Sequence, residues 1–202
     1  MSSKDAWLRY GGRMCLDFVN TLRDRARVPR ETLTGPQDLR GWLEWAGLTV
    51  TARPAARDAD ALTAARELRG AVDRAVLAAA DGALPAPADL ALLNRTAAAL
   101  PLPAPQLAVV DGVLVNTAAA APPCADLTAG LALIAQDAVA LLPSPEVRRV
   151  RVCGADGCAL RFVDRSPAHN RRWCSMERCG NRVKARRHLA RTARSPRPDD
   201  GG

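Results

Sequence analysis

Four of the six cysteines fall between positions 153 and 179, spaced Cys153-x4-Cys158-x15-Cys174-x4-Cys179. Three chemistries use cysteines this close: a disulfide staple, a redox dithiol and a thiolate metal cage. Disulfides belong to oxidising compartments. The opening MSSKDAWLRYGG has neither the basic start nor the apolar run of an export signal, so the expected location is the reducing cytoplasm. Redox pairs use C-x-x-C, which a spacing of x4 does not match. Two pairs of equal spacing fit one tetrahedral ion, each tight turn supplying two soft ligands. The expectation is one structural zinc ion held by Cys153, Cys158, Cys174 and Cys179. With all four positions filled by thiolate, none is open for a reactive water, and His188 is surplus as a fifth ligand.

Turns and short elements must hold those sulfurs in place. In CGADGC, Gly154 and Gly157 can adopt the backbone shapes of a metal knuckle, and in CSMERCG, Gly180 can let the chain leave at positive φ. VRRVRV before the first pair and ALRFVD after it alternate like strands, which predicts a hairpin with the first knuckle at its tip. After the second pair, Asn181 is a favourable N-cap and RVKARRHLARTAR reads as a helix. The segment has few large apolar side chains, so metal binding, about 10–16 kcal/mol in small zinc modules, must dominate its folding.

The same stretch concentrates the charge. The 202-residue chain has a net charge of +8, and 27 of its 29 basic residues are arginine. Residues 146–198 hold 15 Lys/Arg against 4 Asp/Glu, a net of +11, whereas the remainder is at −3. A near-neutral body joined to a basic module points to a polyanionic partner. On the predicted helix Lys184, Arg187, Arg191 and Arg194 step by three, four and three, which forms one basic stripe. Arg171 and Arg172 precede the second knuckle and Arg182 follows it. Asn170 and Asn181 have the side chain that pairs with adenine edges, while Asn181 serves equally as a helix cap. Trp173 is expected in the core. His169 faces either phosphate or solvent. No run of 18 apolar residues exists, so no membrane span is expected.

Residues 1–142 read as a mainly α domain with a small β-hairpin, followed by a small α+β zinc-binding module over 146–194 and a flexible tail over 195–202. Aromatics are only 3%, so the core must be aliphatic. The predicted helices carry Leu16, Val19 and Leu22 after a turn at Gly11-Gly12, then run from Pro36 to Gly47, from Pro54 to Gly82, from Pro87 to Leu100 and across CADLTAGLALIAQDAVALL. Asp111-Gly112 between two β-favouring runs signals the hairpin. Cys15 and Cys124 lie singly on apolar stripes and are expected as core residues. Asp17, Asn20 and Thr21 sit together on the first helix. They could line a pocket for a small effector or equally tether neighbouring helices. Nothing sets a nucleophile beside a base, so no enzyme is expected.

RRWCSMERCGNRVKARRHLAR resembles the CGNR zinc-finger family, whose name is the motif at Cys179-Gly180-Asn181-Arg182, and FVDRS at 162–166 is similar to it as well. GGRMCLDFVNTL resembles the opening of the ABATE domain, which accompanies this finger in bacterial proteins. The resemblance implies a DNA-binding transcription regulator with a helical N-terminal domain open to a ligand-sensing role, and carries the zinc-ligand role to the same four cysteines. Ala159-Leu160 stands where many members have an aromatic. A different class, a protein-interaction or RNA-binding adaptor using the same zinc module, remains open. A homodimer suits a DNA binder, although no zipper is present.

Overall fold

The computed structural model describes residues 7–100, 107–116 and 124–192. The expected tail at 195–202 and Arg194 lie outside the described residues. The chain runs α1 (Met14–Val19), β1 (Leu22–Arg23), β2 (Arg30–Glu31), α2 (Pro36–Trp45), α3 (Asp58–Asp81), α4 (Pro87–Ala98), β3 (Leu107–Val110), β4 (Val113–Asn116) and α5 (Leu127–Leu141). A 3-10 turn (Pro145–Arg149), β5 (Val150–Val152), β6 (Arg161–Val163), a π turn (Met176–Gly180) and α6 (Asn181–Thr192) complete it. About half of the chain is helical, and the three two-stranded sheets among the described residues are all antiparallel. Among the described residues no helix is long and apolar enough to cross a membrane.

The apolar stripes read from the sequence are the buried faces. Ala61, Ala65, Leu68, Val72 and Ala75 of α3 meet Leu127, Leu131, Ile134, Ala138 and Leu141 of α5 in one core. Small residues permit close approach: a Cβ on Gly130 would lie 2.6 Å from Leu43 Cδ1 of α2. Phe18 and Trp42 pack at a ring separation of 5.1 Å. Cys15 and Cys124 are buried in this core. Helix starts follow local polar chemistry. Asp38 accepts from the Thr34 and Gly35 N–H groups at 2.8 and 3.0 Å, ahead of Pro36 at the first helical position. α3 starts at Asp58 rather than Pro54, because the Asp58 carboxylate accepts from the Ala55 N–H at 3.2 Å and closes a turn there. Gly82 ends α3 in the left-handed conformation, φ 87°.

The first helix is shorter than its apolar pattern. It stops at Val19, and Leu22–Arg23 instead pairs with Arg30–Glu31, a hairpin the sequence reading missed. The predicted hairpin around Asp111-Gly112 forms, with φ of 52° and 78° at the two turn residues. Its Leu107, Val109 and Leu114 are exposed.

The C-terminal module is built into the body. Val147, Val150 and Val163 belong to the body's apolar core. Leu8 and Tyr10 pack on a second cluster formed by the four cysteines with Ala155, Leu160 and Phe162. β6 is gripped through its backbone. The Val163 N–H donates to the Gly11 carbonyl at 2.9 Å. The buried Asn20 side chain makes a reciprocal pair with Arg161, donating to its carbonyl and accepting from its N–H, both at 2.8 Å. The Arg161 guanidinium reaches Asp73 on α3 at 2.8 Å. Asn20→Ala would leave both Arg161 backbone groups unsatisfied, so unfolding by denaturant should show a loss of about 2–4 kcal/mol.

Candidate metal centre

β5 and β6 pair in register, Val150 with Val163 and Val152 with Arg161. This places the first knuckle at the hairpin tip. The strands are shorter than the alternating runs, because residues 145–149 close a 3-10 turn opened by Pro145. The knuckle turns at Gly157, φ 79°, and Ala159, φ 51°, while Gly154 keeps negative φ. Gly180 likewise has no positive φ. The Met176 side chain packs over it, its Sδ lying 2.5 Å from where a Cβ would be.

The second knuckle departs from the expected cap. Ser175, in extended conformation, accepts from the Arg178 N–H at 2.9 Å and starts a π turn that runs directly into α6. Asn181 is therefore already helical, φ −65° and ψ −39°, with its side chain exposed, and Ser175 is the capping residue.

All four cysteine sulfurs lie within 4.8 Å of one another and are buried. Cys158 and Cys174 Sγ are 3.8 Å apart, Cys174 and Cys179 Sγ 3.6 Å. A zinc ion with Zn–S bonds of about 2.3 Å sets tetrahedral sulfurs at about 3.8 Å. The donor set therefore fits one zinc ion, and no cysteine is in a disulfide. Without an ion the thiols share their protons. Hydrogen bonds from Cys158 and Cys174 hold Cys153 well below the ordinary thiol range. The bond to Cys153 pushes Cys174 far up, and burial raises Cys179 to about 12. A divalent ion replaces those protons and makes four thiolates compatible. N–H donors already point at the sulfurs: Cys174 N–H to Cys153 Sγ at 3.3 Å and the Arg182 guanidinium to Cys179 Sγ at 3.8 Å.

The predicted basic residues divide. Arg171 lies over the Phe162 ring at 4.6 Å and donates to the Trp173 and Cys174 carbonyls, so its guanidinium braces the second knuckle. Arg172 is exposed beside Trp173, which packs against the cysteine cluster. Arg182 and Lys184 are exposed on α6, and Arg187 and Arg191 fall on its later turns. His169 and Asn170 are exposed, with His169 at φ 47°. A surface cleft lined by Asn170, Arg172, Trp173 and Met176 adjoins the centre.

Asp17, Asn20 and Thr21 each have protein partners. Asn20 holds β6. Thr21 donates to the Phe18 carbonyl at 2.7 Å and accepts from the buried Arg69 at 3.0 Å. Asp17 accepts from the Gly11 N–H at 2.7 Å and lines a small cleft with Arg9, Arg13 and Trp45. A larger apolar cavity of about 600 Å³ lies elsewhere, among Leu90, Leu93, Val139, Leu142 and Val147, with Arg148 at its edge. Sequence reasoning missed Arg23, which is buried at the start of the loop that reaches both knuckles. Burial, then Arg178 and Arg30, push its guanidinium down to about 10. An arginine on a two-residue strand carries no sequence signal for such a position.

Metal analysis should find about one zinc per chain, and Cys174→Ser should abolish it. Burial raises the Asp17 carboxyl to about 6, against opposing help from the Gly11 N–H and Arg9. The folded carboxyl thus binds its proton more tightly than the unfolded one. Its ionisation costs stability above about pH 6, and that cost disappears as pH falls toward 4. Asp17→Asn should therefore gain stability relative to wild type at pH 7 compared with pH 4, by no more than about 3 kcal/mol. Unfolding free energies of both proteins at the two pH values check this.

None of the curated proteins compared with the chain matches it. Two families do. Residues 149–192 match the CGNR zinc finger, and residues 12–145 match ABATE, described as "Putative stress-induced transcription regulator". The ABATE match spans well over half of the chain, and the protein belongs to that family, with a CGNR zinc finger completing its C-terminal side.

Proposed function

We propose that the protein is a DNA-binding transcription regulator whose zinc module docks on duplex DNA while the ABATE body acts as its regulatory or sensing part. The observation that carries this reading is the exposed cationic surface of the module, where Arg172, Arg182 and Lys184 stand around the second knuckle and the start of α6. Phosphate contacts from such side chains supply affinity and register, and base-edge contacts supply sequence preference. Exposed Asn181, released from capping, joins Arg182 as a candidate for base edges. Arg187, Arg191 and Arg194 extend the phosphate-binding stripe. Arg171 contributes by holding the knuckle in shape. Zinc has a structural part, and the reading is of a regulator and not an enzyme.

The functional units are the ABATE body over 1–142, the finger over 146–194 and the tail over 195–202. A small effector acting on the body would suit the cavity of about 600 Å³ between α3, α4 and α5, which falls in the ordinary size range for small ligands. Asp17, beside its small cleft, is the other candidate contact, with Asn20 and Thr21 behind it. A homodimer in the cytoplasm completes the proposal, since reduced thiols keep the metal site available.

Fluorescence anisotropy of zinc-loaded protein with labelled duplex DNA tests the reading. Binding should be detectable at low salt, fall steeply with added salt and vanish on chelation. Arg182→Ala with Lys184→Ala should weaken binding and lower the slope of log affinity against log salt by about 2. No duplex binding at low salt by zinc-loaded protein would overturn the proposal. Stronger binding to structured RNA than to duplex would favour the adaptor reading.

A further inference from the structure

The loop joining β1 to β2 reaches across both cysteine knuckles. Arg27 lies over the first, its Cδ only 2.9 Å from where a side chain on Gly157 would begin, and its Nε donates to Asp156 at 3.1 Å. Asp24 faces Arg178 of the second knuckle at 3.9 Å. Arg23, beside Asp24, is 4% exposed. Its Nε and Nη2 have no acceptor among the described residues, and neither does Nε of Arg178. The groups acting on its charge are Arg178, Arg30, Asp24 and Cys158. Arg178 and Arg30 repel it, and the carboxylate that attracts it, Asp24, is half-exposed. A buried guanidinium left this way is costly unless an anion answers it.

The metal centre supplies one. Four thiolates around a divalent ion carry a net charge of about −2. A zinc-bound thiolate accepts N–H donors, as Cys153 Sγ does from the Cys174 N–H at 3.3 Å and Cys179 Sγ from Arg182 at 3.8 Å. Arg23 holds donors without acceptors at the start of a loop whose Asp24 and Arg27 contact the second and the first knuckle. We propose that Arg23 is the counter-charge that the helical body lends to the zinc-bound cysteines, so that zinc binding and seating of the finger on the body reinforce each other. Coupling of this kind is reciprocal: what zinc adds to docking, docking adds to zinc affinity. Arg178 and Arg182 complete the cationic shell from the finger's own side. The inference rests on the four-cysteine centre and is independent of the nucleic-acid reading.

Full-length wild type, Arg23→Met and Arg23→Lys would be compared in two measurements: zinc affinity by competition with a chromogenic chelator, and thermal unfolding with and without excess chelator. Arg23→Met should lose about tenfold or more in zinc affinity. It should melt lower than wild type when zinc-loaded but no lower when stripped, because the stripped protein is relieved of an unanswered charge. Arg23→Lys should recover part of the affinity. Arg178→Gln, a change at a half-exposed site, should shift affinity in the same direction by less and stands in if Arg23→Met does not fold. Unchanged zinc affinity in the variants, or equal lowering of melting in the loaded and stripped states, overturns the counter-charge. A wild type that binds no zinc overturns the centre and the inference with it.

Discussion

Two strands of three residues each make too small a hairpin to be stable in water. β5 and β6 persist because they are held from both ends. At the tip, the cysteines close around a metal-sized space. At the base, Gly11 and Asn20 of the body satisfy backbone groups of β6, and Val147, Val150 and Val163 sink into the helical core. Removing either anchor leaves β6 with exposed backbone polar groups and a chain of mutually repelling arginines. The architecture downstream of residue 142 therefore depends on the seating of this one strand.

That dependence explains the N-terminal stretch GGRMCLDFVNTL. Gly11 has no room for a side chain, since a Cβ would lie 2.8 Å from the Asp17 backbone nitrogen and from Leu16 Cβ. The close approach turns its carbonyl toward β6. Asp17 fixes the Gly11 N–H, Asn20 holds Arg161, and Thr21 meets Arg69, which in turn bonds Glu31 at 2.7 Å. Arg13 ties α1 to Asp137 on α5 at 2.7 Å and to Glu146 at 3.1 Å. Within the motif, Gly11 and Asn20 bond β6 directly, and Asp17 and Thr21 fix the turns on either side of α1 that aim them.

The charge balance follows the same geometry. Acidic residues of the body answer arginines of the module, Asp73 pairing with Arg161 and Asp24 with Arg178, while Glu146 at the module's edge pairs with Arg165. Arg172 and Lys184 have no such partner among the described residues and are exposed, and Arg182, also exposed, reaches only Cys179 Sγ. The net +11 of the segment is therefore not spread evenly. Neutralisation on the body side leaves the excess on the outer face, where a polyanion can reach it.

Much of this was legible in the sequence. Cysteine spacing and matched turns identified the metal ligands, because ligand chemistry demands both. Period-3.6 stripes identified the buried faces of α2, α3 and α5, because burial of apolar surface is what forms those helices. Asp111-Gly112 marked its hairpin through the positive φ that both residues adopt. What the tertiary structure alone decided is where the polar side chains found partners. Asn20 and Arg161 are 141 residues apart, and Asn20 looks alike in a pocket or a clamp. Arg171 reads as a phosphate contact until Phe162 and two carbonyls come within its reach. Asn181 reads as a cap until Ser175 starts the helix a turn earlier. Arg23 reads as one arginine among 27 until its strand buries it with two guanidinium nitrogens unpartnered among the described residues. Apolar periodicity records how much surface a face must bury, whereas a hydrogen bond depends on which donor and acceptor meet, and only the folded chain sets that meeting.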